Sequence, residues 1–295
     1  MYIFIVTKAF VDRVNELEFL ERLYREPRCN VVFLVGRRGV GKTELIVRFL
    51  REKPYVYMVC DLTSSSANLV KLSCMMAEFF DDPGFCDISF KDWIDVFVEF
   101  LEWKGDEKVV VVFDDFENLL QVDSRILSTF ARLYRDYLSK RNDLMLVFCV
   151  SCHEGGLEKA FGGAYTLRVG ELGFRDVWKF LSGYSFGEVI YVWSCVGGVP
   201  RYLKLFDTSL SFYDNVMRLF LVREGLLYRE GDYLLFRYFC DVRNFILVLE
   251  ALSMGFCRIV DIANFCGLDK ALVSRYVDRL VELGLVGFDY RVLEG

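Results

Sequence analysis

The sequence predicts an α/β protein built on buried parallel strands, with a helix-turn-helix at its C-terminal end. Three short runs, 31–35, 109–113 and 144–150, are almost wholly apolar, as strands covered on both faces are. Segments with helical periodicity lie between them. Residues 257–295 have the apolar spacing of two helices joined by a glycine-containing turn. A chain of 295 residues is long enough for one sizeable core and one or two smaller domains.

The composition is that of a folded protein. Apolar residues make up 54% of the chain, aromatic residues 16%, and there are only four prolines. No apolar run reaches the roughly 18–20 residues that cross a bilayer, and the N-terminus lacks the features of a signal peptide, so we expect a cytoplasmic protein. The net charge of −6 and a pI near 5.1 argue against non-specific nucleic-acid binding by the whole surface. One basic face remains compatible with these values.

The clearest motif is GRRGVGKT at 36–43, which matches G-x-x-x-x-G-K-[ST]. It follows the apolar run 31–35 and precedes a segment with helical spacing, the order that a phosphate-binding loop requires. Glycines let backbone N–H groups surround phosphates, Lys42 would reach the β- and γ-phosphates, and Thr43 would bind Mg²⁺. The predicted nucleotide-binding residues of this segment are Gly36, Arg37, Arg38, Gly39, Val40, Gly41, Lys42, Thr43 and Glu44.

Two carboxylates end the second apolar run, in VVVVFDD at 109–115. The C-terminal edge of a parallel sheet is where ligands collect, so both are predicted to lie beside the phosphate loop. Asp114 is the expected second magnesium residue, usually acting through water. Asp115 would polarise an attacking water; the alternative is a solvated turn aspartate.

The segment VFCVSCH, 147–153, contains Cys149-x-x-Cys152-His153, the spacing of covalent haem attachment. Cys149 falls inside the predicted strand 144–150, where a haem edge would not reach, and no dithiol-oxidoreductase context surrounds it. We therefore interpret the match as coincidental and expect no haem. The residue of interest is instead Ser151, which follows a strand next to the one that ends in Asp114. Its hydroxyl is predicted to hydrogen-bond the γ-phosphate or the attacking water.

Further motifs extend the similarity to a known family over nearly the whole chain. AFVDRVNELEFLERL at 9–23 resembles an opening F-x-x-R-x-x-E-L, and CVGGVPRYLKLFD at 195–207 resembles G-G-x-P-x-Y-L. Residues 225–255 resemble a linker into a winged helix. Together with the two phosphate-site motifs, these segments resemble the archaeal ATPases of the STAND class of P-loop NTPases. The residues that carry the two flanking motifs are Phe10, Arg13, Glu16, Leu17, Gly197, Gly198, Pro200, Tyr202 and Leu203.

The resemblance implies a P-loop NTPase sheet of the ASCE, AAA-like type, a helical lid and a C-terminal winged helix. It implies ATP and Mg²⁺ as ligands, with Phe10, Arg13 and Pro200 bordering the adenine. Arg201 would face the phosphates as a sensor, or else be a surface arginine of the lid. The expected domains are 1–170 for the ATPase, 171–240 for the lid and linker, and 241–295 for the winged helix. The candidate strands are 31–35, 55–60, 109–113, 144–150 and 164–169.

This sequence departs from the family pattern in two places. Asp114 is followed by Asp115 where the family has glutamate, which leaves the catalytic role of Asp115 open and favours slow hydrolysis. Val150 and Ser151 stand where the family has glycine and serine.

The C-terminal segment 257–295 resembles a winged helix, with a turn at Gly267, a helix capped by Asp269 and a short wing hairpin over 285–293. The outward face of the second helix would contact DNA or a protein partner. Interleaved acids favour the alternative, in which the module packs against its own ATPase or another protein. The candidate contact residues are Lys270, Ser274, Arg275 and Arg279.

Three functions follow from these motifs. The first is an ATP-driven molecular switch whose nucleotide state controls the C-terminal module. The second is an ATP-dependent DNA-binding regulator or origin-initiator-like protein, and the third is a scaffold that holds nucleotide without hydrolysing it. No membrane partner is expected.

Overall fold

The computed structural model describes residues 13–151, 156–239 and 241–288 and separates into two compact units. The first unit comprises Met1–Phe180 and Val196–Leu203, and the second Leu181–Cys195 and Lys204–Gly295. The domain limits expected from the sequence stay a prediction. No helix in the described ranges combines the length and apolarity needed to cross a membrane.

The first unit is built on a parallel sheet of five strands in the order β2-β3-β4-β1-β5. The strands are β1 (Asn30–Val35), β2 (Tyr55–Val59), β3 (Val109–Asp114), β4 (Leu144–Val150) and β5 (Tyr165–Arg168). Because β4 lies between β1 and β3, the sheet has the predicted P-loop arrangement, with the phosphate-loop strand and the acid-ending strand on either side of one intervening strand. The predicted α/β fold class is confirmed, and the strand limits agree within one residue.

Helices cover both faces of this sheet, which explains why its strands are apolar throughout. One face packs against α1 and α2 through Leu20, Leu23, Leu45 and Phe49. The other face carries a cluster of phenylalanine rings, in which Phe113 lies 5.3 Å from Phe148 and 5.0 Å from Phe130, ring centre to ring centre. The helices of this unit are α1 (Val14–Arg25), α2 (Lys42–Phe49), α3 (Ser65–Phe80), α4 (Trp93–Trp103), α5 (Glu117–Val122), α6 (Ile126–Leu133), α7 (Phe174–Phe180) and, returning after a second-unit segment, α9 (Pro200–Leu203).

A disulfide joins Cys74 in α3 to Cys86, the residue that follows the short 3₁₀ turn Pro83–Phe85. The sequence alone leaves the presence of disulfides open. A bridge between cysteines 12 positions apart lowers the conformational entropy of the unfolded chain, which stabilises the folded state by about 3 kcal/mol.

The second unit is helical in its described part and ends in a helix-turn-helix. Gly267, with φ 65°, ends α13, and the Asp269 side chain accepts a hydrogen bond from Ala271 N–H at the start of α14. The predicted helices and turn are present, whereas most of the predicted wing hairpin lies outside the described residues and 285–288 form no strand. The helices are α8 (Phe186–Val196, continuing one residue into the first unit), α10 (Phe212–Val216), α11 (Glu230–Tyr238), α12 (Arg243–Ser253), α13 (Ile259–Cys266) and α14 (Lys270–Glu282).

A buried ion-pair network fixes the entry to β4. Asp143 Oδ2 lies 2.6 Å from both Lys104 Nζ and Arg141 Nη2, and the Lys104 side chain is fully shielded from water. Burial alone would raise the pKa of Asp143, but the hydrogen bonds from Arg141 and Lys104 outweigh it and lower that pKa to about 2.

We expect Asp143→Asn to lower the free energy of unfolding by about 3 kcal/mol at neutral pH, because it leaves the buried Lys104 ammonium without its counter-charge. A lowered pKa stabilises the fold above the pKa of the unfolded chain, about 3.9. The wild-type advantage should therefore shrink as the pH falls from about 4 towards 2. Urea unfolding at a series of pH values measures both effects.

Asp136→Asn is the matched control for this substitution. Its partner Arg135 and Asp136 itself are exposed, so this change should cost less than about 1 kcal/mol. Equal costs for the two variants would contradict the assignment of the Asp143 network.

Candidate nucleotide site

The phosphate loop connects β1 to α2 at the C-terminal edge of the sheet. Gly39 and Gly41 have φ values of +87° and +99°, which glycine adopts without strain. At Gly36 a Cβ would lie 2.1 Å from the carbonyl oxygen of Val169, so a larger residue would displace the backbone. The three glycines of the motif are therefore required by the path of the chain itself.

Lys42, the first residue of α2, folds its side chain back over the loop. Its Nζ donates to the carbonyl oxygens of Gly36 at 2.6 Å and Arg37 at 3.3 Å, and to Ser151 Oγ at 3.1 Å. Burial lowers the pKa of Lys42, while the nearby carboxylates, Glu117 foremost, oppose this shift. The ammonium is thus held at the position where the sequence predicts phosphate contacts.

Asp114 ends β3 opposite this loop and is buried. Its Oδ2 accepts hydrogen bonds from Thr43 Oγ1 at 2.8 Å and from Tyr57 OH at 2.5 Å, and its Oδ1 accepts one from Asp115 N–H at 3.0 Å. Burial and the charge of Asp114 raise the pKa of Tyr57, so the phenol stays a donor. A threonine hydroxyl beside a carboxylate is an all-oxygen donor set, which fits Mg²⁺.

Two further predicted residues flank this pair. Asp115 is in the left-handed region, with φ 50°, and its Oδ2 lies 3.9 Å from Arg38 Nη1 in the phosphate loop. Burial, followed by the charge of Asp114, raises the pKa of Asp115. Ser151 is buried just beyond β4, within reach of Lys42. The structure therefore brings together the residues predicted on three different strands.

The segment 197–203 packs directly on the phosphate loop. Arg201 N–H donates to Gly39 O at 3.1 Å, and Pro200 Cγ would be 3.9 Å from a Cβ on Gly41. A Cβ on Gly198 would lie 2.0 Å from Leu172 O, which explains the glycine at this position. The Arg201 side chain is exposed, so its sensor role stays a prediction.

Two charged residues tie the loop to its surroundings. Arg13 is buried, and its guanidinium donates to Val40 O at 3.1 Å and Gly170 O at 2.5 Å. Glu171 accepts from Gly198 N–H at 2.8 Å and pairs with Arg37 at 2.6 Å. Arg13 therefore has a clear structural role, its predicted adenine contact stays a prediction, and Phe10 lies outside the described residues.

Sequence reasoning missed Tyr57, Glu117 and Glu171, which touch the predicted residues. The available signals were the second of the two tyrosines in the run 55–60, for Tyr57, and a glutamate three residues after Asp114, for Glu117. Glu171 had none beyond its position after the fifth strand. Their contacts with Asp114, Ser151 and Arg37 are made by residues distant in sequence.

The first cysteine of the haem-like motif is a core residue. Cys149 lies within β4, paired with Leu34 of β1, and is fully shielded from solvent. Burial raises the pKa of its thiol well above the usual range, so it is unreactive. Cys152 and His153 lie outside the described residues.

Comparison with known proteins identifies the family of this chain. The profile of a family described as an ATPase domain predominantly from Archaea matches residues 10–206, more than half of the chain. The chain belongs to this family. The expected membership of an archaeal family of P-loop ATPases is thereby confirmed, and it supports nucleotide binding.

One curated relative and two solved structures are similar to this chain over most of its length. An uncharacterized protein of Methanocaldococcus jannaschii is 23% identical over 285 residues, which cover 94% of this chain and 62% of that protein. This chain therefore spans less than two thirds of that relative. Two solved structures share the fold: a Walker-type ATPase of Pyrococcus abyssi (TM-score 0.68, 21% identity, 92% and 89% of the chains) and the Drosophila origin recognition complex bound to DNA (0.52, 14%, 99% and 84%).

We expect Gly39→Ala to destabilise the protein more than its backbone strain alone explains. A left-handed conformation costs a non-glycine residue about 1–2 kcal/mol, and here the new Cβ would also lie 2.9 Å from Arg201 Cβ. The enforced shift adds about 1–3 kcal/mol. The free energy of unfolding, measured by denaturant titration without nucleotide, tests this.

Gly105→Ala supplies the control. Gly105 has φ +66°, but apart from Gly105 and its two chain neighbours no atom of the described residues lies within 4 Å of the position that a Cβ would take there. This substitution carries the strain without the collision. Equal losses for Gly39→Ala and Gly105→Ala would show that the contact between 39 and 201 contributes nothing.

Proposed function

We propose that this protein is an ATP-binding molecular switch that hydrolyses ATP slowly with Mg²⁺, and whose nucleotide state controls its C-terminal helix-turn-helix. The observation that carries the proposal is the contact between Thr43 and Asp114, 2.8 Å apart, beside the buried ammonium of Lys42. These are the residue types that hold Mg²⁺ and phosphates in P-loop proteins.

Different groups of the chain would bind the phosphates and the metal ion. Loop N–H groups at 36–43 and Lys42 Nζ would bind the phosphates, and Thr43 and Asp114 would hold Mg²⁺, which would supply charge neutralisation when bound. Asp115 and Ser151 are the residues that the sequence predicts near the attacking water. Arg201, whose N–H donates to Gly39 O, and the neighbouring Pro200 would sense the bound state.

The switch is supported by how the chain runs through segment 196–203. This segment belongs to the first unit and contacts the phosphate loop, yet the residues before and after it, Cys195 and Lys204, belong to the second unit. A movement of Gly39 would therefore move segment 196–203 through its hydrogen bond with Arg201. The peptide bonds at the two ends of this segment would in turn move the flanking segments. Such a connection is the physical basis on which a phosphate site can bias a remote module.

We expect Lys42→Ala to weaken ATP binding by about 100-fold, because hydrogen bonds to charged groups contribute about 1.5–3 kcal/mol each. The nucleotide-dependent change in the radius of gyration should be lost with it. Titration calorimetry measures the affinity and small-angle scattering the radius.

Lys140→Ala, at an exposed position outside the site, is the control and should bind ATP as the wild type does. Undiminished ATP binding by Lys42→Ala would contradict the proposal. If wild type binds ATP but releases no phosphate in any condition, the non-hydrolysing scaffold is the better description.

The second candidate is an ATP-dependent DNA-binding regulator. Lys270, Arg275 and Arg279 are exposed on α14, the second helix of the helix-turn-helix, where such modules read DNA. The solved neighbour from Drosophila is bound to DNA. Against this, Arg279 pairs with Glu282 at 2.9 Å, and Asp278 is exposed on the same helix.

The DNA candidate predicts that Arg275→Ala/Arg279→Ala weakens binding to duplex DNA about tenfold or more at low salt. The slope of log affinity against log salt concentration should also become shallower by the amount that about two phosphate contacts contribute. A gel-shift titration at several salt concentrations measures both. Arg243→Ala, exposed on α12 and paired with Asp241, is the control. Equal DNA binding by the double variant and wild type would exclude α14 as the contact helix.

A further inference from the structure

Two carboxylates follow Asp114 and have different partners beside the phosphate loop. Asp115 is oriented towards Arg38, with its Oδ2 3.9 Å from the guanidinium. Glu117, the first residue of α5, is instead hydrogen-bonded to Ser151 and is the carboxylate with the largest electrostatic effect on Lys42. The two acids therefore have different surroundings, although only one residue separates them.

The Glu117 carboxylate is held on one oxygen and left open on the other. Its Oε2 is shielded from solvent, and none of the described residues donates a hydrogen bond to it. A buried acceptor without a donor costs about 1–3 kcal/mol, so native structures rarely keep one unless a bound molecule satisfies it. Burial also raises the pKa of Glu117, which makes the carboxylate a better proton acceptor near neutral pH.

Ser151 connects this carboxylate to the phosphate-binding lysine. Its hydroxyl accepts a hydrogen bond from Lys42 Nζ at 3.1 Å and hydrogen-bonds the carboxylate of Glu117. A hydroxyl can accept from an ammonium and donate to a carboxylate at the same time. The side chains of Lys42, Ser151 and Glu117 thus form one hydrogen-bonded network from the phosphate loop to α5. Ser151 fixes the distance between the Lys42 ammonium and the Glu117 carboxylate.

We propose that Glu117, rather than Asp115, is the carboxylate that accepts a hydrogen bond and then a proton from the water attacking ATP, with Ser151 as its positioning residue. This inference rests on the proposed ATP hydrolysis. The water oxygen forms a bond to the γ-phosphorus, and the bond from that phosphorus to the β–γ bridging oxygen breaks, its electron pair leaving with ADP. The water proton passes to Glu117 Oε2 and then to solvent.

The test compares Glu117→Gln with Asp115→Asn in the full chain. Glutamine keeps the volume of glutamate but takes no proton, so Mg²⁺-dependent phosphate release by Glu117→Gln should fall by about 100-fold or more. Asp115→Asn should lose a clearly smaller factor. Glu102→Gln, exposed on α4 and outside the predicted site motifs, is the control and should match wild type.

Nucleotide binding provides the second readout. The affinity of Glu117→Gln for a non-hydrolysable ATP analogue should stay within about threefold of wild type. Its affinity for ADP with aluminium fluoride, which imitates the transferring phosphoryl group, should fall about tenfold or more. A purely structural role of Glu117 would weaken both ligands alike.

The outcomes separate this inference from the function on which it rests. Wild-type turnover with an equally active Glu117→Gln overturns the assignment and leaves the ATPase proposal intact, and a greater loss in Asp115→Asn assigns the role to Asp115. No turnover by wild type overturns both. If Glu117→Gln is unfolded by thermal scan, Ser151→Ala replaces it: unchanged turnover and unchanged aluminium fluoride affinity in that variant overturn the proposal.

Discussion

The site is organised around one buried carboxylate, Asp114, at the C-terminal end of β3. Three donors converge on it from different parts of the chain: the Thr43 hydroxyl from α2, the Tyr57 hydroxyl from β2 and the backbone N–H of Asp115. A buried ionised carboxylate is costly unless its oxygens are hydrogen-bonded. This requirement fixes the start of α2 against the end of β3, and the rest of the phosphate loop follows from that placement.

The position of β4 sets the distance between the phosphate loop after β1 and Asp114 at the end of β3. Since β4 lies between β1 and β3, the loop after β1 and the acid after β3 are separated by the width of one strand, about 5 Å to either side. Ser151, at the end of the intervening strand, fills that gap and meets Lys42. The apolar faces of the sheet are covered by helices on both sides, and the charged residues of the site lie where the strands end.

Patterns that depend on neighbouring residues could be predicted from the sequence. The apolar runs indicated three of the five strands, and the glycine spacing indicated the loop at 36–43, because buried strands and left-handed turns have local signatures. The strands near 55–60 and 164–169 were expected only from the family resemblance. Tyr57 and Glu171 were not predicted, because their contacts with Asp114 and Arg37 join residues more than 50 positions apart in the sequence. Glu117 was not predicted for another reason. The family motif has its acidic residue directly after Asp114, whereas here the left-handed backbone at Asp115 brings Glu117, the first residue of α5, to Ser151.

The balance of charges explains why the loop and segment 197–203 are linked as they are. Arg37 and Arg38 in the loop lie beside the carboxylates of Glu171 and Asp115, and Glu117 is the carboxylate with the largest electrostatic effect on Lys42. Arg37 is paired with Glu171, whose other oxygen holds Gly198 N–H. Under the proposed function, phosphates would compete with Glu171 for Arg37. Glu171 also holds the N–H of Gly198, so under this proposal the charge of the nucleotide would act on segment 197–203 through Glu171 as well as through Gly39.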